Sequence, residues 1–411
     1  MSRVYAHSTS KFTEDPNRYH ENGLHPLIIG DTLNEGQYRI VHKLGSGSFA
    51  TVWLAGDTLN NAYASLKVLS ADLPTECKEL RILHQITDAQ VEHPGREFVI
   101  RLRDSFVIDG PNGKHLCLVT GVAGERLERP SHLAADDLEW PREVGLQIAQ
   151  GLGYLHALGI AHADCYTSNI LSQLQPFDDW TYDELYACMG QPVTNQVHRK
   201  DGKPKDNTAP EYTVDAGDVL ALQNRLHTDR ILLIDLGAAF NHDDCPPVVY
   251  TPAPLTSPEI LFGGQITYAI DQWAFGCLLY ELCADRTLIK LLFGWNNDAK
   301  KDQVAMLGKP PDALWQNWEE REEYFFPDGT PKEAQGRRLK VDTLSLKQRV
   351  RNAGRPLSER DDSMVTTPLP QALQDLYHLL QSILIYDAGS RLSFEAILAH
   401  PFFGGVRTCP A

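Results

Sequence analysis

Two stretches decide the reading: His162-Ala-Asp164-Cys-Tyr-Thr-Ser-Asn169 and, after a long spacer, Arg230-Ile-Leu-Leu-Ile-Asp235-Leu-Gly237. The first is a polar loop that follows an amphipathic helical pattern over Arg142–Leu158. The second is an apolar strand that ends in a carboxylate and a flexible turn. Phosphoryl transfer asks a protein mainly for positioning and charge neutralisation. Asp164 has the chemistry to accept the proton of an attacking hydroxyl, and Asn169 and Asp235 have the oxygen donors that magnesium prefers. Taken singly, each stretch fits an ordinary loop or a buried strand as well, and it is their order along the chain that points to phosphoryl transfer. His162 reads as a packing residue beneath the loop.

Working outward toward the N-terminus, Leu44-Gly45-Ser-Gly47-Ser-Phe-Ala50-Thr-Val52 has the glycines that let a strand–turn–strand lie over phosphates. A plain hairpin with two turn glycines explains that segment equally well, and Ala50 stands where a third glycine is usual. Lys67 lies inside the apolar run Ser-Leu-Lys-Val-Leu, where an ammonium is costly without a partner, and Glu79 on the following helical stretch is the partner expected. The expected nucleotide-binding set is thus Gly45, Gly47, Val52, Lys67, Glu79 and Asp235. The expected catalytic set is Asp164, Lys67 and Asn169, with Asn169 and Asp235 as the metal ligands. Toward the C-terminus come Ser257-Pro258-Glu259, Asp271-Gln-Trp273-Ala-Phe-Gly276 and Arg391. Small-molecule phosphotransferases also carry an H-x-D-x-x-x-x-N segment, and these later elements separate the chain from them.

Strand-like alternation runs from Tyr38 to Leu69, helical spacing covers Glu76–Ile86, and strand-like runs follow at Phe98–Ile108 and His115–Thr120. After Gly121 helical periods dominate, at Arg142–Leu158, Asp271–Cys283, Ala372–Ile385 and Ser393–Leu398. The pattern predicts an α+β, bilobal fold with a small five-stranded antiparallel N-lobe carrying one helix, and a larger, mainly helical C-lobe. The expected boundaries are an extension at 1–36, the N-lobe at 37–121, the C-lobe at 122–403 and a tail at 404–411. An insert at 171–230 interrupts the C-lobe, and its Thr181-Tyr-Asp-Glu184 reads as a capping box with Gly190 and Pro192 ending the helix. Residues 1–36 read as a tail that packs only in places.

At 411 residues, with 42% hydrophobic and 22% charged residues, the chain has the composition of a globular protein with room for two lobes. No run reaches the length of a membrane span and the first residues lack a signal-peptide core, so an intracellular protein of cytosol or nucleus is expected. The eight cysteines show no Cys-x-x-Cys pair and read as reduced thiols. A formal charge of −16 argues against direct nucleic-acid binding and suits a basic partner, or solubility alone.

These motifs resemble those of eukaryotic protein kinases over residues 38 to 403. The lead-in Glu14-Asp-Pro-Asn-Arg-Tyr19, then Gly23-Leu-His-Pro-Leu-Ile-Ile-Gly-Asp31, running into Tyr38-Arg-Ile-Val-His-Lys-Leu-Gly45, is similar to that of the SR-protein kinases. So are the long spacer before the Asp235 strand and His400-Pro-Phe-Phe403. The resemblance implies Mg-ATP and a serine or threonine acceptor on a protein substrate, with basic or Arg/Ser-rich segments as candidate acceptors; apart from the resemblance, a monomer is expected. It also implies Thr120 as the gatekeeper beside the nucleotide base. There are departures from the family pattern. Tyr166 replaces a catalytic-loop lysine, Ala163 replaces an arginine and Gly121 replaces a hinge glutamate. Two lysines intrude in the stretch Trp295-Asn-Asn-Asp-Ala-Lys300-Lys301-Asp302, where the family holds arginine-serine repeats. The alternative reading is a pseudokinase, a nucleotide-binding scaffold with weak or no transfer.

Overall fold

The computed structural model describes residues 4–6, 10–131, 133–134, 137–291, 296–332, 343–355 and 367–406. The chain divides into two compact units. The first comprises Met1–Ala89, Ile100–Arg126 and Leu171–Leu232, and the second comprises Gln90–Val99, Leu127–Ile170 and Leu233–Ala411.

The first unit is built on an antiparallel sheet. Its strands are β1 (Thr32–Leu33), β2 (Tyr38–Ser46), β3 (Ala50–Asp57), β4 (Ala62–Leu69), β5 (Leu102–Gly110) and β6 (Gly113–Thr120), in the order β1-β2-β3-β4-β6-β5. The five expected strands are present, and the lead-in segment adds β1 as a short sixth, pairing Leu33 with Tyr38. The turns are set by local chemistry. The Asp57 carboxylate accepts from the Leu59 and Asn60 N–H groups to close the β3–β4 turn, where Asn61 takes the left-handed conformation its type tolerates. Helix α1 (Lys78–Asp88) follows β4 and buries Ile82, Leu83 and Ile86 on one face.

Both faces of the sheet carry buried side chains. Tyr38, Ile40, Trp53, Ala55, Leu66, Val68, Cys117 and Val119 pack with Leu27 and Leu33 of the extension. On the other face, Val41, Leu54 and Tyr63 pack with Phe177, Leu185, Met189, Leu222 and Leu226. These last five residues belong to the insert, which the sequence assigns to the second lobe. The structure instead groups residues 171–232 with the first unit, because burying that apolar surface contributes on the order of 2 kcal/mol per large side chain.

Within the first unit, β7 (Ala123–Arg126) pairs with β9 (Ile170–Leu174). Helices α3 (Tyr182–Met189) and α4 (Val219–Leu226) carry the apolar residues, while β10 (Thr194–Gln196) and β11 (Tyr212–Val214) form a small ribbon between them. The capping box read from Thr181 and Glu184 is present in both directions, and Gly190 ends α3 with φ 83°.

The extension is more firmly packed than its polarity suggests. The Lys43 ammonium and the Tyr19 hydroxyl both donate to the Glu14 carboxylate, all three residues being buried, and Lys43 also lies 4.7 Å over the Trp53 ring. At Gly23 a Cβ would sit 2.2 Å from the Arg18 carbonyl oxygen, so only glycine allows the bend.

The second unit is mainly helical. Helix α2 (Glu139–Ala157) precedes β8 (Ile160–Ala161), which pairs with β13 (Phe240–Asn241). The turn bearing Asp235 follows strand β12 (His227–Leu233), which lies in the first unit up to Leu232. Short α5 (Pro258–Leu261) is followed by α6 (Ile270–Ala284), which is apolar on every side and buried at every position but Glu281, as a central helix should be. The remaining helices are α7 (Asn296–Leu307), α8 (Asp312–Trp315), α9 (Arg321–Tyr324), α10 (Leu346–Arg351), α11 (Gln371–Ile383) and α12 (Phe394–Leu398). Gly145 lets α2 approach α6 closely, since a Cβ there would lie 2.7 Å from Leu279 Cδ1.

Candidate active site

In the first unit, strand register does the positioning. Gly45 faces Val52 across β2 and β3, Val52 faces Lys67 across β3 and β4, and Lys67 faces Leu118 across β4 and β6. Cross-strand partners share a face, so Gly45, Val52 and Lys67 form one row, and Thr120 opposite Ser65 lies on the same side. The Lys67 ammonium donates to Glu79 Oε1 of α1 at 2.7 Å, the pairing expected from sequence. A Cβ at Gly45 or Gly47 would meet nothing within 4 Å, and neither glycine has positive φ. Packing within the protein therefore does not require glycine there, which fits a loop left clear for a ligand's phosphates. Ala50 is a buried β3 residue opposite Leu69, so the third glycine position needs no special backbone conformation here.

In the second unit the loop of 162–169 is held from below. The Asp271 carboxylate, in the first turn of α6, accepts from the N–H groups of His162 and Ala163 at 2.8 Å each and from His156 Nε2 at 2.9 Å. Burial alone would raise the Asp271 pKa, but His156 and these donors outweigh it and hold the group below its ordinary value. This grip keeps Ala163 at φ +67°, a conformation that costs a residue with a side chain about 1 kcal/mol or more. His162 is fully buried, and its Nδ1 accepts from the Asp164 N–H while Nε2 donates to the Ile234 carbonyl at 3.1 Å. Burial lowers its pKa and keeps it neutral, in the packing role read from the sequence.

Asp164 and Asn169 meet directly. The Asn169 amide nitrogen donates to Asp164 Oδ2 at 2.8 Å and to its backbone carbonyl at 2.9 Å. That bond fixes the amide orientation and leaves the Asn169 carbonyl oxygen as the atom able to face a cation. Asp235 sits at φ +59° at the end of its strand, near enough to Asp164 for their charges to repel. Burial pushes the Asp164 carboxyl up to about 6; the Asn169 hydrogen bond opposes this and Asp235 adds to it. The Asn169 amide oxygen and the Asp235 carboxylate are hard oxygen donors of the kind magnesium takes together with nucleotide phosphates, so the residues present fit that ion. Tyr166 flanks this pair, its hydroxyl pKa raised by burial and by the Asp164 charge.

The structure also joins Glu259 and Arg391 in a buried, two-pronged ion pair at 2.8 and 2.7 Å. The carboxylates of α7 are turned inward, Asp298 to Lys301 at 2.7 Å and Asp302 to Arg349 at 2.6 and 2.9 Å. Trp295, at the head of that stretch, lies outside the described residues. Sequence reading passed over Glu14 and Arg18 of the extension.

The protein kinase domain family matches residues 38–177 and 220–403, leaving out the middle of the insert. The chain is 29% identical over 340 residues to the serine/threonine-protein kinase SRPK of Physarum polycephalum, covering 78% of each chain. It is 36% identical over 165 residues to human SRSF protein kinase 3, covering 38% of this chain and 29% of that one. It is 34% identical over 211 residues to protein kinase dsk1 of Schizosaccharomyces pombe, covering 49% and 38%. The matches thus span less than half of the last two relatives' length. No helix among the described residues is long and apolar enough to cross a membrane. With the antiparallel sheet, the paired Lys67 and Glu79 and the Asp164 loop already described, the conclusion follows that the chain belongs to the protein kinase domain family and is an SRPK-like serine/threonine kinase.

Proposed function

We propose that the protein transfers the γ-phosphoryl group of ATP to serine or threonine hydroxyls of basic protein segments, with Asp164 as the base that orients and deprotonates the acceptor. The observation that carries this reading is the bond between Asp164 and Asn169. It leaves one Asp164 oxygen for an acceptor hydroxyl and the Asn169 carbonyl oxygen for a metal. Asn169 and Asp235 would hold magnesium, which would supply positive charge to neutralise the transferring phosphates. Lys67, steadied by Glu79, takes the α- and β-phosphates, while Gly45, Gly47 and Val52 cover the nucleotide. Burial favours the neutral form of Asp164, so the group is poised to accept a proton near physiological pH. As the hydroxyl attacks the γ-phosphorus, its proton passes to Asp164 and ADP leaves with the bonding pair.

The preference for basic acceptors rests on charge. The chain carries −16 overall, and Glu319, Glu320, Glu322 and Glu323 are exposed around α9. Because Asp298 and Asp302 are buried, this exposed run is the better docking surface for arginine or lysine side chains.

The test is transfer of radiolabelled phosphate from Mg-ATP to an Arg/Ser-rich peptide and to an acidic Ser peptide, with wild type and Asp164→Ala. Transfer to the basic peptide that disappears in the variant is the expected result. Equal labelling of both peptides would remove the substrate preference. ATP binding without transfer in the wild type would favour the scaffold reading.

A further inference from the structure

The glycine-rich hairpin between β2 and β3 is gripped from outside by the N-terminal extension. Asp15 accepts from the Asn17 N–H at 3.0 Å and starts a short 3-10 turn over Pro16–Arg18. The next residue, Tyr19, is bolted through Glu14 to Lys43, two residues before Gly45. The Arg18 carbonyl accepts from the Leu24 N–H at 3.0 Å, fixing the chain on the other side of the bend. From this anchored position the Arg18 guanidinium reaches the hairpin tip, Nη1 donating to the Gly47 carbonyl and Nη2 to the Ser48 carbonyl.

Peptide planarity gives this contact a consequence. In a trans peptide the C=O of one residue and the N–H of the next point in opposite directions. Arg18 draws the Gly47 and Ser48 carbonyls toward itself, which turns the N–H groups of Ser48 and Phe49 the other way. Adjacent backbone N–H groups aimed to one side make an anion-binding concavity. The base of the hairpin is set as well, since the Gly47 N–H donates to the Ala50 carbonyl at 2.9 Å.

We propose that Arg18 is a positioning residue for nucleotide binding: it presets the glycine-rich loop so that the Ser48 and Phe49 N–H groups face the phosphates. The proposal rests on the nucleotide-binding reading given above, and the experiment separates the two. A free loop must be ordered when ATP binds, whereas a tethered loop is ordered beforehand. The benefit acts only on ligands that carry phosphates, because the row of Val52 and Lys67 is set by sheet register and not by Arg18.

The experiment measures dissociation constants for Mg-ATP and for adenosine, with melting temperature, in the wild type, Arg18→Ala and Arg18→Lys. Mg-ATP affinity should fall about tenfold in Arg18→Ala, the worth of one charge-assisted hydrogen bond, while adenosine affinity stays within about twofold. Arg18→Lys, with a single reaching donor, should recover part of the loss. Unchanged Mg-ATP affinity in Arg18→Ala overturns the proposal, and so does an equal loss for adenosine, which would mark a general disturbance of the lobe. A wild type that binds neither ligand would overturn the nucleotide reading itself.

Discussion

Replacing Arg391 by methionine should destabilise the second unit far more than an average substitution, and the structure sets the size of the effect. The Arg391 side chain is fully buried, and Glu259 is 5% exposed. Its guanidinium makes both prongs to Glu259, donates to the Ala269 carbonyl at 2.7 Å and to the Ile385 carbonyl at 3.0 Å, and lies 5.3 Å from the Trp273 ring centre. Removing one member of a buried ion pair costs about 3–5 kcal/mol, because the other charge stays behind without compensation. The two carbonyls lose their donor as well, at about 1–3 kcal/mol each when no water replaces it. Methionine refills much of the volume, so a total near 5 kcal/mol is expected, a large part of the roughly 5–15 kcal/mol that holds a domain together. At about 2–4 °C per kcal/mol for a unit of this size, the melting temperature should drop by roughly 10–20 °C. The double variant Arg391→Met/Glu259→Leu should regain more than half of that loss, since no charge is then buried alone, and the remainder measures the two orphaned carbonyls. Urea titration followed by tryptophan fluorescence and a thermal melt would give both numbers. A single variant within 1 kcal/mol of wild type would refute the reasoning, and so would a double variant no more stable than the single.

Three further outcomes are expected. With Asp164 held at about 6, its basic form is present above that value, so kcat/KM should fall tenfold per unit below about pH 6; an acid limb near pH 4 would contradict the buried-base assignment. Tyr166 supplies a neutral hydroxyl where a cation would neutralise developing charge. Tyr166→Lys should therefore raise turnover, by up to about 10²–10³, with little change in ATP affinity; a rate that stays flat or falls would mean the tyrosine is compensated elsewhere. Lys43→Met strands the buried Glu14 carboxylate and should cost about 3–5 kcal/mol. Lys114→Met, whose partner Asp109 is exposed, should change stability by less than about 1 kcal/mol, and similar losses for the two would undermine the role given to the Glu14 anchor.

The loop of 162–169 was legible as a candidate site because its polar residues are crowded into eight consecutive positions and need no knowledge of the fold. Helix α3 was legible for a similar reason, since Thr181 and Glu184 satisfy each other's backbone groups three residues apart. Boundaries were less so: α2 begins at Glu139, because Pro141 fits a first turn as well as it fits a break. The cluster of Glu14, Tyr19 and Lys43 was invisible for want of a local pattern, as its members are separated by up to 29 positions. The capping box marks where α3 starts but says nothing about which surface buries Leu185, and α4 with its buried Leu222 carried no such local mark. The inward turn of Asp298 and Asp302 was hidden too, because a carboxylate at helical spacing looks alike whether it faces solvent or Arg349.

The first unit's three-part make-up imposes an order on how the chain can fold during synthesis. Val41, Leu54 and Tyr63 are made early, whereas the side chains that shield them run from Phe177 to Leu226. At roughly 5–20 residues per second, that apolar surface waits on the order of 10–30 s for its cover. Through that interval the sheet is a nascent intermediate with one sticky face, and ribosome-bound chaperones have their natural substrate there. A fragment ending at Arg126 would carry all six strands and α1 and still present the same bare face. The smallest self-sufficient piece of this kinase therefore extends past Leu226, into sequence that a linear map would assign to the other lobe.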